Sequence, residues 1–312
     1  MLKLGGSTAE KKRVSGRKLR GWGSRHFMNL ILGIVVVMGC VLGGFAVHGG
    51  HLGALWQPSE VLIILGAAVG AFIIANPLSV SKKTLSSVTG LLKGPPYKKA
   101  HYQALFSVMY DLLSIARKEG MMGLERVIEE PAKNEIFKKR PLILNDHHAT
   151  EFIQDYLRLI ISGDMDQFQL EALMDLEIET HHHDGQEPAS ALSKMSDAMP
   201  GFGIVAAVLG IVNTMSALGG PPEEIGLKVA AALVGTFLGI LLAYGLFGPM
   251  SSAMERMAHE ETQFYTTIKT CIMGFLQGHP PQVAIEFGRK STPGPLRPSF
   301  KDLEAQLRGK KT

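Results

Sequence analysis

Charge is scarce in this chain and unevenly placed. Asp, Glu, Lys and Arg make up 19% of its 312 residues, and no ionisable side chain stands in the middle of any of four long apolar runs. Cysteine is nearly absent. Cys40 lies inside an apolar run and Cys271 far along a later helix, which argues against a disulfide and fits no zinc or haem spacing. A phosphate-binding glycine loop, a nucleophile elbow and an HExxH zinc motif are all missing, so the energy source must be something other than ATP. No strand-like alternation is long enough to make a sheet. What the chain does have is glycine, 35 residues, and methionine, 15, a balance that suits a membrane protein with a sizeable polar portion.

The apolar runs cover Phe27–Val47, Glu60–Ala75, Pro200–Leu218 and Leu227–Phe247. A helix rises about 1.5 Å per residue, so about 20 residues cross a hydrocarbon core ~30 Å thick. The second run is short and needs its flanks. Thirty-one of the 32 Lys and Arg residues fall within 1–26, 77–199 and 249–312, and none in the 48–59 loop; the other, Lys228, sits at the edge of the fourth run. The positive-inside rule makes the rich side cytoplasmic, with both termini inside. The expected architecture is all-α: a basic cytoplasmic tail (1–26), transmembrane helices 1 and 2 (27–76), a helical cytoplasmic domain (77–199), transmembrane helices 3 and 4 (200–248) and a cytoplasmic C-terminal helix and tail (249–312). The tail reads as a disordered anchoring segment, and Met28, where the first span begins, is a second candidate start.

Within 77–199 the punctuation is by Pro and Gly. Gly94-Pro95-Pro96 separates two amphipathic segments, and Leu105, Met109, Leu112 and Ala116 form a helical stripe that Gly120 and Gly123 interrupt. A second stripe runs through Phe152, Tyr156, Leu159 and Ile160. Ser162-Gly163-Asp164 is expected to end it and to cap a helix that buries Phe168, Leu170, Leu173, Met174, Leu176 and Ile178. After the fourth span the helix is expected to continue until Pro280-Pro281.

The spans carry a few uncharged polar groups: Asn213, Thr214, Thr236 and Tyr244. Ala232, Thr236, Ile240 and Tyr244 share one face of the fourth span, with Gly235 and Gly239 as a neighbouring strip; Ala206, Gly210 and Thr214 form a small face on the third. Small faces let helices pack closely in lipid and let hydroxyls bond across them. Thr236 is therefore either packing glue or a hydroxyl facing a partner's carboxylate. Glu60 and Lys228 read as interface anchors at span edges. Pro200 suits a helix start, and Pro249 is either a hinge or a boundary. His181-His182-His183 points three ways around a helix and reads as a solvated helix end, not a metal site.

The motifs DYLRLIISG (Asp155–Gly163), EALMDLEIETH (Glu171–His181), PGFGIVAAVLGIV (Pro200–Val212), VGTFLGILLAYG (Val234–Gly245) and EFGRK (Glu286–Lys290) resemble the MotA family, membrane subunits of the bacterial flagellar stator. The resemblance implies a non-enzymatic component of the bacterial inner membrane, in the flagellar basal body. It implies a ring of five copies around two copies of MotB, which supplies the transmembrane aspartate, with a proton as coupling ion and no other cofactor or metal. By the same resemblance Arg117 and Glu125 match the pair that faces the rotor protein FliG. Pro200, Pro249 and Thr236 match channel and torque-coupling positions, with Tyr244 beside them. A TolQ- or ExbB-like energiser of outer-membrane processes is the rival from the same physics, disfavoured by four spans and a basic internal N-terminus. A membrane hydrolase is the rival of another class.

Overall fold

A computed structural model of the chain describes residues 23–216 and 219–309. The basic tail, the start at Gly23 excepted, and the last residues of the third run, Ala217 and Leu218, lie outside the described residues. Of the described residues, 83% are helical. In order, the helices are α1 (Gly23–Val47), a 3-10 turn (Leu52–Leu55), α2 (Pro58–Ala75), α3 (Leu78–Leu91), α4 (Lys99–Glu119), α5 (Met121–Ile128), α6 (Glu135–Lys138), α7 (Pro141–Leu144), α8 (His147–Ser162), α9 (Gln167–Met215), α10 (Pro222–Leu242), α11 (Gly248–Leu276), α12 (Pro281–Ser291) and α13 (Phe300–Leu307). Four stretches, within Leu30–Val47, Leu52–Ala75, α9 and Pro222–Leu276, are long and apolar enough to cross a membrane.

The described residues form two compact units, one within 23–95 and 185–256, the other within 96–184 and 257–309. The second, polar unit has an ordinary aqueous core. Leu105, Met109, Leu112 and Ala116 of α4 meet Leu124 and Ile128 of α5, Phe152 and Tyr156 of α8, and Phe264 and Ile268 of α11. Tyr97 stacks on Phe264 with centroids 3.8 Å apart and rings 6° from parallel. The Tyr97 hydroxyl donates to Asp146 at 2.8 Å, and Asp146 also caps α8 by accepting from the Ala149 amide at 3.1 Å. Gly163 ends α8 at φ +71°, a conformation glycine adopts without strain.

Three expectations are corrected here. The cap of α9 is Asp166, whose Oδ1 accepts from the amides of Phe168 and Gln169, rather than Asp164. Along this part of α9 only Leu170, Met174 and Ile178 are buried, one position per turn, and the opposite side of the helix leaves Phe168 80% and Leu176 62% exposed. The histidine run is not a helix end, because α9 continues past it for more than thirty further residues. His182 Nδ1 hydrogen-bonds Thr262 at 2.8 Å, His181 lies 4.7 Å from the Tyr265 ring, and only His183 is exposed. His181 Nε2 is 3.7 Å from Glu261. Burial, partly opposed by His181, holds the Glu261 carboxyl above its usual range.

The EFGRK segment is structural. Arg289, 7% exposed, donates to both oxygens of Glu286 at 2.7 and 2.6 Å and to the Pro298 carbonyl at 3.1 Å. Those bonds hold the Glu286 carboxyl below its usual range.

Candidate functional site

In the first unit the packing is backbone against backbone. A Cβ added at Gly203 of α9 would lie 2.9 Å from the Gly235 carbonyl and 3.2 Å from Gly239 Cα of α10. One added at Gly239 would lie 2.7 Å from the Met199 carbonyl, and one at Gly210 would lie 2.7 Å from Ala232 Cβ. The small faces expected on the third and fourth runs therefore form one seam, with helix axes brought closer than side chains would allow. Beside it, Thr214 bonds back to the Gly210 carbonyl at 2.8 Å. Thr236 does not do the same: it is half-buried, and its hydroxyl has no hydrogen-bond partner among the described residues. Tyr244, two turns on, is 65% exposed.

The prolines sit differently from one another. Pro200 does not start a helix; it lies inside α9, where it removes the helical donor to the Ser196 carbonyl. Pro249 follows a turn of π-helix, Ala243–Phe247, that joins α10 to α11. The wider turn absorbs the proline without ending the helix, and such turns occur often at functional positions. It is tied to α9 by the buried Ser196, whose hydroxyl donates to the Ala243 carbonyl at 2.9 Å, and Ser251 likewise donates to Ala189 at 2.8 Å.

The edge-anchor reading of Glu60 is overturned. Glu60, Ile64 and Ala68 recur every four residues and form the buried face of α2. Glu60 is 7% exposed and its Oε2 has no hydrogen-bond partner among the described residues. This oxygen lies 2.7 Å from where a Gly235 Cβ would be, about 20 Å along α10 from Pro222 at 1.5 Å per residue. The residue looked peripheral because it begins its own apolar run; α2 starts level with the middle of α10, which the run lengths do not reveal. The one available signal was the four-residue period it shares with Ile64 and Ala68. Lys228 does stay near the start of α10, where it pairs with Glu224 at 3.4 Å.

In the polar unit, Arg117 ends α4 and Glu125 lies on α5, joined by Gly120 at φ +77°. Gly123 brings the two helices together, since a Cβ there would lie 2.5 Å from Glu119 Cβ. Both charges are exposed, as are Lys118, Glu119 and Arg126, and none of the five forms an ion pair among the described residues. Elsewhere on this unit several charges are matched: Arg140 with Asp111 at 2.7 Å, Arg158 with Glu129 at 3.0 Å, Lys269 with Asp175 at 2.6 Å. Met122, 79% exposed, stands amid the unmatched group.

Comparison with known proteins gives this geometry a family. The N-terminal domain of motility protein A matches residues 31–120, and the MotA/TolQ/ExbB proton channel family matches residues 144–267. Motility protein A of Salmonella typhimurium is 45% identical over 281 residues, 90% of this chain and 95% of the relative. The chain belongs to the motility protein A family. Chemotaxis protein LafT of Vibrio parahaemolyticus is 39% identical over 90% of this chain and 98% of its own length. The fold is that of the C. jejuni MotAB structure, with TM-score 0.71, 20% identity and coverage of 88% of this chain and 99% of that one. The flagellar MotAB stator complex of Bacillus subtilis has the same fold, with TM-score 0.66 and 24% identity over 82% of this chain and 92% of that one. As a member of that family, the chain is a membrane component of the flagellar motor, and neither the outer-membrane energiser nor the hydrolase reading is favoured.

Proposed function

We propose that the chain is the ring-forming stator subunit: five copies surround two copies of a MotB-type partner in the bacterial inner membrane, with both termini cytoplasmic. The partner's single transmembrane helix supplies an aspartate, and protons passing it move the ring. Thr236 faces that carboxylate, and Pro200 and Pro249 with its π-turn are where the third and fourth spans flex. Arg117 and Glu125 push on the rotor protein FliG. The observation that carries the reading is the free Thr236 hydroxyl beside a glycine seam. A hydroxyl in lipid that ignores its own helix backbone is available to a group from outside the chain. The unmatched charges around Met122 support the rotor contact, because charges left without intramolecular partners can steer and register a complementary surface.

The test is complementation. In a strain deleted for the gene, the chain expressed with its MotB-type partner restores swimming, and the two copurify. Swimming stops with a protonophore and persists in sodium-free medium. Swimming that survives the deletion removes the stator reading, and arrest by sodium withdrawal alone removes the proton.

A further inference from the structure

We propose that Glu60 is a proton-exchanging carboxyl of this chain inside the transmembrane bundle, a second acid on the ion path in addition to the one supplied by the partner. The proposal rests on the stator reading above for its context, but the site itself stands on geometry. The carboxyl is buried, its Oε2 has no hydrogen-bond partner among the described residues, and it is received on α10 where the absent Cβ of Gly235 leaves room. Gly235 is also packed against Ala206 of α9, an added Cβ there lying 3.1 Å from Ala206 Cβ, so the acid faces two helices of the seam and not lipid. Thr236 is the next residue on α10.

Glu60 has no ion-pair partner among the described residues. Among the described residues α1 carries no Lys or Arg from Met28 onward. On α10 the only basic residue is Lys228, held by Glu224. On α9, Lys194 and Asp197 precede the third span, and no charge follows from Pro200 to Met215. A lone ionised carboxylate in such a place is costly, whereas an acid that gains and loses a proton spends only part of each cycle charged. An approach to it also exists. Glu224, Lys228 and Gly235 fall on one face of α10 at 100° per residue, so a charged pair stands two turns before the acid on its own side of the helix. In the step proposed, a water-borne proton forms an O–H bond with the Glu60 carboxylate. That bond later breaks as the proton passes through water to the partner's carboxylate, with no net redox change.

The experiment uses the full chain copurified with its partner. Infrared spectra are compared for wild type, Glu60→Gln and Glu60→Asp, and proton flux and swimming are measured in parallel. The expected result is a protonated-carboxyl stretch that Glu60→Gln abolishes and Glu60→Asp shifts. Flux should fall about tenfold or more in Glu60→Gln, the scale of losing one proton-transfer group, and be largely kept in Glu60→Asp. A Glu60→Gln complex that swims and conducts like wild type overturns the proposal, since Gln keeps the shape and removes only the exchangeable acid. If Glu60→Gln does not assemble, Glu60→Asp decides: a spectrum superposable on wild type overturns it. Failure of the wild-type chain itself to support swimming would sink the stator reading while the spectra still judged Glu60.

Discussion

The polar unit buries Tyr102, Phe106, Leu112, Phe137, Tyr156 and Phe264 in one continuous core. Among the described residues the membrane unit's buried apolar cluster is Ile64, Ala68, Met199, Ala206 and Ala243, while Val35, Ile74 and Leu233 point outward at 59%, 89% and 63% exposure. One unit is organised by water: large side chains collect because apolar surface leaves solvent, and charges pair on the outside. The other faces lipid, where removing apolar surface from the surroundings gains little, so its helices are held by close backbone approach and by buried hydroxyls on carbonyls. The same substitution should therefore act differently in the two.

The largest effect expected is from emptying the aqueous core. Phe264→Ala removes a fully buried ring that Tyr97 stacks on and Tyr102 meets edge-on. It should cost about 3–5 kcal/mol, read as a lower unfolding temperature of the purified protein and loss of accumulation in cells. If the loss is below about 1 kcal/mol, the polar unit is not the independently packed body described. Next is the seam. Gly239→Ala drives a methyl to 2.7 Å from the Met199 carbonyl, where backbone has to move, and overpacking of this kind costs about 1–3 kcal/mol. Gly70→Ala in α2 meets nothing within 4 Å and should be neutral or stabilising by up to about 1 kcal/mol. Equal effects at the two glycines would contradict the seam.

Much of this was readable from the residues, and the failures share a cause. Runs of apolar residues announce helices, so the four spans and the stripes of α4 and α8 were legible. Glycine spacing announced the seam on the fourth run, through Gly235 and Gly239, and Gly210 on the third, but Gly203, which meets both Gly235 and Gly239, went unread. What periodicity does not carry is the offset between helices. Glu60 stands first in its own run yet abuts the middle of α10, and Phe168 has the right composition for a core but the wrong side of α9. Nor does sequence predict which deformation a proline selects: Pro200 is accommodated in an unbroken helix, Pro249 behind a π-turn.

A smaller effect concerns the Arg289–Glu286 pair. The depressed Glu286 carboxyl contributes stability that is present above its unfolded value, about 4.3, and is lost as pH falls through the lower folded value. Glu286→Gln should lower stability by about 1–3 kcal/mol at pH 7 and flatten the acid limb of the stability curve. A double perturbation with Arg289→Leu should be less than additive, because both variants break one contact. Additivity would mean that Arg289 acts through Pro298 alone.

The smallest effect on stability should be the most telling for function. Arg117→Glu with Glu125→Lys alters two exposed charges that have no ion-pair partner among the described residues. Surface changes of this type stay within about 0.5 kcal/mol, so unfolding temperature, membrane insertion and copurification with the partner should all be unchanged. Swimming should nevertheless fall, and the defect should depend on ionic strength, because screening over about 8–10 Å weakens steering between exposed charges. Arg158→Glu is the contrast: it breaks the matched contacts with Glu129 and Asp155 and should cost up to about 1 kcal/mol of stability. If the double reversal instead prevents accumulation, Arg117 and Glu125 belong to the fold of the α4–α5 corner and the rotor contact has to be sought elsewhere on this unit.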